Sequence, residues 1–547
     1  MKSTTARVPL AVYALGAIAS AFTLTKAVHV DDAAHLFIAQ AILRDPAHAS
    51  LAMLNWDQVP EPIHALNVPH LMMYVFAAAL KLGASVQALH LVSAAFIVLS
   101  LCLIWRFAAL VAPRHALWVT ALTALGPSFL PAGNLMMDVP TLAIWAGFFY
   151  CMTLLAREGR EVRAWQACAF VAAGCLIKYA SVVLLPAFVV LVARRRSWRH
   201  LRALLLPLSA LGAWSGFTWF SYGGVHLFER ATELGAADEG LRTLLALSAG
   251  RLPLWVVGLG ALSPFTLAFA GRGRAPLLLV CGAVGAAVAA AGLLLPLSDL
   301  PAFAGVNATD ALLRGLFFAN GLFFALLARR AIREAGEDTA ALAIWAASAL
   351  LLAVFVAPFP AARHVMLALP ALLLLAARAF PPAPVAARAA LVATGALGVA
   401  LAISDWRRAD VYRKEAQAIA SPSTTWTVGH WGWQWYAAQQ GLREYAPGQS
   451  RLAAGDVLVA PQSIHRQRFS AEDAPTLRPV ATKTVPATAL DLLRTVTPAG
   501  GLYYYWAAVP WTVRSGPVET FQFYRVTKAS GGSGLVSTTL VPRHPGE

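Results

Sequence analysis

Two neighbouring carboxylates, Asp31 and Asp32, open the segment VHVDDAAHLFIAQAILRDP, whose apolar residues Leu36, Phe37, Ile42 and Leu43 follow helical spacing. A carboxylate aimed at a hydroxyl can remove its proton during attack, so either acid is a candidate general base. Adjacent residues diverge by about 100° on a helix and face opposite ways on a strand, so the two cannot form a facing pair. At most one meets a substrate, and the other is suited to capping the helix that follows. A third acid, Asp138 in GNLMMDVPTLAIW, begins another apolar run, and Pro140 in its first turn also fits a helix start. Asp31, Asp32 and Asp138 are the candidate catalytic residues.

Cations at the edges of apolar runs are scarcer. Lys178 in CLIKYAS lies between two runs, and Arg363 with His364 in PFPAARHVMLALP begins another. Such groups either snorkel to lipid headgroups or face a cavity. In a cavity, Arg offers bidentate geometry to a phosphate and Lys a point charge, so Lys178, Arg363 and His364 are the candidate substrate-binding residues. His29, His35, His48, His64 and His70 crowd one segment, but their spacing matches no standard zinc pattern. No metal ligand is assigned, and need for a divalent cation is left open. His430, Trp431, Trp433 and Trp435 alternate as though on a strand, in keeping with core packing more than with ligand stacking. The sequon at Asn307 is short enough to arise by chance, and no glycine-rich nucleotide loop is present. The five cysteines, Cys102, Cys151, Cys168, Cys175 and Cys281, all lie in or beside apolar runs and suggest no disulfide framework.

The elements that position these residues are membrane helices. Of 547 residues, 59% are hydrophobic and 13% charged, with mean hydropathy +0.62, which excludes a water-soluble body. The formal charge of +16 reads as membrane topology, with no nucleic-acid partner. Apolar runs near 8–24, 88–110, 115–131, 139–156, 164–178, 179–193, 203–220, 252–270, 275–296, 311–328, 339–357, 363–378 and 388–403 give about thirteen spans. The first is read as an uncleaved helix with a cytoplasmic N-terminus. Val68–Leu82 is too short to span and is placed as a helix on the outer surface. Roughly nineteen basic residues then fall on the inner loops against about nine outside, as the positive-inside rule requires. The outer side receives a first loop at about 26–87 and a C-terminal domain at 404–547. In that domain TTWTVGH, DVLVAP, GGLYYYWAAV and VETFQFYRV read as strands and WQWYAAQQG as a short helix, an α/β order, with a frayed end from Ala529.

The Asp-Asp opening, NLMMDVPTLAIW, GCLIKYASVVLLPAFVVLVARRR and AARHVMLALPALLL together resemble the dolichyl-phosphate-mannose-protein mannosyltransferase-like and aminoarabinose-transferase-like group of bacterial membrane glycosyltransferases, within the GT-C superfamily. The likeness covers residues 8–403 and fades in the C-terminal domain. NVPHLMMYVFAAALKLGAS resembles the group's surface helix, with His70 separating Pro69 from Leu71 where a Pro-Leu pair commonly stands. The resemblance implies an α-helical polytopic GT-C-like membrane fold in a bacterial inner (plasma) membrane. It also implies a polyprenyl-phosphate-linked sugar donor, no nucleotide sugar, and inverting transfer on the outer face to a lipid, glycan or protein acceptor. By the same resemblance Asp31 is the candidate base, Asp32 holds the second acid position, Asp138 matches a later acid, and Lys178 and Arg363 fall where the carrier phosphate is contacted. A lipid or solute transporter, or flippase, is the alternative. Its key charges would sit near mid-membrane among paired repeats, whereas these acids gather at one interface and no repeat is evident. A non-catalytic membrane scaffold is the third reading.

Overall fold

A computed structural model describes residues 7–66, 68–231, 240–294, 307–334, 339–419, 424–497, 500–505 and 509–530. The expected frayed end from Ala529 lies almost wholly outside them. The chain is an integral membrane protein built of helices, followed by a small α/β domain. Six described helices are long and apolar enough to cross a membrane: Val86–Val111, Asp138–Glu158, Trp198–Tyr222, Ala275–Leu294, Ala308–Glu334 and Pro384–Gln417. The other seven expected segments fall on shorter apolar helices at Leu10–Leu24, Ala116–Ala124, Val162–Ile177, Tyr179–Arg194, Ala249–Leu262, Ala340–Val356 and Leu369–Ala379. The helix at Leu71–Lys81 has 11 residues, about 16 Å of rise and half of what a crossing needs.

Two local devices set the ends of the helices that matter most. Gly159, with φ 65°, stops the helix Asp138–Glu158 in the left-handed region. Val162–Ile177 then runs back beside it, so Asp138 and Lys178 finish at the same end of a helical hairpin. Asp138 occupies the first helical position, where unpaired backbone N–H groups and the helix dipole favour a carboxylate. Asn307 caps its helix instead of standing idle: its Oδ1 accepts from Asp310 N–H at 3.0 Å while Asp310 Oδ2 accepts from Asn307 N–H at 3.2 Å.

The C-terminal domain departs from expectation in three places. Its boundary at 403/404 falls inside one unbroken helix, Pro384–Gln417, in which Asp405, Arg408 and Asp410 are buried and which continues as the domain's support. Strands Thr425–Thr427, Val457–Pro461 and Glu519–Val526 are as expected, joined by Arg443–Glu444 and Leu477–Val485 in one five-stranded sheet. The order is 443–444, 425–427, 457–461, 519–526, 477–485, parallel at the first two pairings and antiparallel at the last two. Among its described residues GGLYYYWAAV supplies the two-residue strand Gly500–Gly501. The following tyrosines turn toward the helical bundle, where Tyr505 N–H donates to the Pro360 carbonyl at 2.9 Å and Tyr505 OH to the Leu254 carbonyl at 3.3 Å. Trp431, Trp433 and Trp435 do not alternate on a strand: they lie on the helix Trp431–Gln439, all buried, with Trp435 5.2 Å from the Phe37 ring.

Candidate active site

Four of the expected residues meet at one place. Arg363 Nη1 lies 2.9 Å from Asp31 Oδ2 and 3.8 Å from Asp138 Oδ2, and Lys178 Nζ lies 2.6 Å from Asp138 Oδ1. Asp138 is therefore gripped between two cations, while Asp31 touches one of them and stays the most accessible of the four, with its side chain 29% exposed. The charges balance without any ligand, yet a donor is left over: Arg363 Nε is buried without a partner, and Nδ1 of the adjacent, buried His364 is unpartnered as well. Buried unpaired donors are costly, and an anionic ligand would satisfy them. A cavity of about 20 Å³, room for about one water, lies among Asp138, Arg363, Met136 and Tyr503.

Asp32 does not point into this cluster. Its Oδ1 accepts from Leu135 N–H at 2.8 Å and its Oδ2 from His29 N–H at 3.1 Å, and the side chain is fully buried. Burial pushes its carboxyl up to about 8, against the field of Lys26 and the two N–H groups. Asp32 thus ties the start of its helix to the turn before Asp138 and holds Asp31 and Asp138 at a fixed separation. His35, one turn further, adds a second tie, donating from Nδ1 to the Leu135 carbonyl at 3.1 Å.

The segment entering the site is held under tension. Val30 has φ 47°, a conformation that a β-branched residue rarely adopts, and is buried immediately before Asp31. What holds it comes from far along the chain. Asp405 accepts from Lys26 Nζ at 2.6 Å, Tyr503 OH at 2.7 Å and Thr495 Oγ1 at 2.5 Å, with His29 Nε2 at 3.3 Å. Lys26 also donates to the Pro131 carbonyl, and Tyr436 OH accepts from Val28 N–H at 2.9 Å. Gly432 presses its backbone onto the Val28 carbonyl so closely that a Cβ there would overlap the oxygen. Arg363 is positioned similarly, because Ala362 N–H donates to the Leu502 carbonyl at 3.0 Å. Sequence reasoning missed this network; the available signals were Lys26 and Asp405, both charged at the ends of apolar runs.

The remaining loop histidines scatter. His64 stacks on Tyr222 with centroids 4.4 Å apart, His70 packs near Trp214 and His226, and exposed His48 pairs with Asp45. Among the described residues no group of three or more His, Cys, Asp or Glu could hold a metal ion.

Residues 67–220 match the family model of the dolichyl-phosphate-mannose-protein mannosyltransferases, the segment carrying the surface helix, Asp138 and Lys178. No curated protein sequence matches the chain. Among solved structures, the oligosaccharyltransferase of Archaeoglobus fulgidus in its apo form is 13% identical, with 80% of this chain and 65% of that chain covered and a TM-score of 0.42. The same enzyme in complex with an inhibitory peptide and a dolichol-phosphate is 13% identical over 82% and 69%, also at 0.42. The arabinosyltransferase EmbB of Mycobacterium smegmatis is 14% identical over 88% and 47%, at 0.32. The chain thus spans about two thirds of the apo oligosaccharyltransferase's length, and these are distant likenesses.

Proposed function

We propose that this protein is a membrane glycosyltransferase that takes a sugar from a polyprenyl-phosphate carrier and passes it, with inversion, to a hydroxyl acceptor on the outer face of a bacterial inner membrane. The observation that carries the reading is the convergence of Asp31, Asp138, Lys178 and Arg363 from four separate elements at one end of the bundle, with the unpaired Arg363 Nε donor among them. The matched mannosyltransferase segment supports it.

Asp31 is the general base. It accepts the acceptor hydroxyl's proton as that oxygen bonds to the anomeric carbon from the face opposite the carrier, and the carbon–oxygen bond to phosphate breaks with its electron pair leaving on the phosphate. Lys178 and Arg363 face the charge that builds there, an arrangement that stabilises the transition state more than the ground state. Asp138 holds both cations in place, and Asp32 fixes the helix that presents Asp31. An apolar groove of about 530 Å³ between the surface helix and Trp198–Tyr222, lined by Leu71, Tyr74, Leu176, Trp214 and Phe217, opens two residues from Lys178 and suits the first isoprene units of the carrier.

The test is transfer by the full chain in liposomes from a panel of polyprenyl-phosphate-linked hexoses and pentoses, with the product's anomeric configuration read by NMR. An inverted product from one of these donors is expected. Transfer only from a nucleotide sugar, or a retained configuration, would end the proposal.

A further inference from the structure

A second pocket lies at the other end of the helix Asp138–Glu158, about 30 Å from Asp138 at 1.5 Å of rise per residue. Its volume is about 450 Å³, and it opens where the ends of Val86–Val111, Asp138–Glu158 and Leu184–Arg194 come together. Arg157, Arg194, Arg195, Ser197, Arg199 and His200 supply its polar wall. The chain is bent around it by a left-handed residue, Arg196 with φ 52°, which returns the segment Trp198–Leu204 to the rim.

Part of this charge has a local purpose. Arg195 Nη1 donates to the Ala156 carbonyl and Arg157 Nη2 to the Leu110 carbonyl, both at 2.6 Å, capping two helix C-termini. The neighbouring acid, Glu161, is taken by Arg202 and Trp165. Arg194 and Arg199 have no hydrogen bond or ion pair among the described residues, so two full positive charges at the pocket are uncompensated. His200 is only 3% exposed, and neither ring nitrogen has a partner. A buried, unpartnered imidazole in the wall of a basic pocket calls for a polar ligand. Trp198, 57% exposed beside it, has the amphipathic character of a residue at the headgroup level.

We infer that this pocket binds the phosphate headgroup of an anionic phospholipid in the cytoplasmic leaflet. Basic pockets between membrane helices on the cytoplasmic side suit such headgroups. The acyl chains leave toward the exposed apolar residues that follow Trp198, including Leu205. The inference is independent of the glycosyl-transfer reading, since it concerns the opposite membrane face and none of the same residues.

The experiment is thermal unfolding of the detergent-solubilised full chain titrated with dioleoylphosphatidylglycerol, dioleoylphosphatidylcholine or inorganic phosphate. Phosphatidylglycerol is expected to raise the midpoint and phosphatidylcholine not to. In the double variant Arg194→Ala/Arg199→Ala the apparent affinity should weaken at least about tenfold, as loss of charge-assisted hydrogen bonds predicts. Arg388→Ala, on an exposed residue away from the pocket, should respond as the parent does. If the double variant folds poorly, Arg194→Lys/Arg199→Lys keeps the charge and should retain the response. An undiminished response in the alanine variant overturns the inference. An equal response to inorganic phosphate overturns the lipid assignment in favour of a soluble anion.

Discussion

Arg363 Nη1 sits 2.9 Å from Asp31 Oδ2, although 332 residues separate the two in the chain. The pair joins the segment that follows the first helix to the start of a late one, and the same guanidinium reaches Asp138. Asp31 is thereby oriented by a cation that would also face an incoming phosphate.

Replacing Asp31 with Asn keeps size and the contact to Arg363 but removes the base. Turnover is expected to fall by about 10²–10⁴-fold, with membrane insertion and thermal midpoint close to the parent's. Transfer assays on proteoliposomes, paired with unfolding curves, check this; full turnover would remove Asp31 from the mechanism.

Arg363→Lys preserves charge and loses the planar fork. The donor KM should rise by roughly tenfold or more, given the strength of bidentate charge-assisted bonds, while acceptor KM moves little. Steady-state kinetics with each substrate varied separately distinguish the two.

Asp138 is 6% exposed at its side chain and separates two half-buried cations. Asp138→Asn should destabilise the protein by about 3–5 kcal/mol, the range for breaking a buried pair. Adding Lys178→Met should recover part of the loss by removing one orphaned charge. A double-mutant cycle from denaturation midpoints measures it, and simple additivity would contradict the pairing.

Gly432→Ala tests the clamp between the C-terminal domain and the entry to the site. The new methyl must push the helix Trp431–Gln439 off the Val28 carbonyl, a backbone atom that cannot swing aside. Displacing Asp31 by about 1 Å should cost up to about 10²-fold in turnover, with the domain still folded by circular dichroism.

Glu444 gives a pH dependence with a defined sign. Burial raises its carboxyl from 4.5 to about 7, with Gln434 as a hydrogen-bond partner at 3.2 Å. Between these values the unfolded chain has released the proton and the folded chain retains it, so this residue's contribution to stability falls as pH rises through that window. Glu444→Gln should therefore gain on the parent protein from pH 4.5 to 7 by on the order of 1–3 kcal/mol, and hold that gain above. His430, lowered by burial to about 3, acts oppositely: its contribution is present above pH 6.5 and lost as pH falls. Unfolding midpoints across pH 4–9 read both.

By itself the sequence determined which segments are apolar enough for membrane helices, that Asp31, Asp138, Lys178 and Arg363 lie at their ends, and that the tail alternates strand and helix. Those properties are local, set by composition, periodicity and end signals such as Pro140. The tertiary structure alone decided that Asp32 faces backbone N–H groups while Asp31 faces Arg363, since adjacent residues with the same chemistry differ only in what packs against them. It also decided that Asp405, Tyr503 and Gly432 brace the entry to the site, because contacts across hundreds of residues depend on how the tail docks. GGLYYYWAAV shows the limit best: its aromatic run reads as a strand, yet Tyr503 and Tyr505 gain more by burying against Asp405 and the helical bundle than a sheet edge could offer.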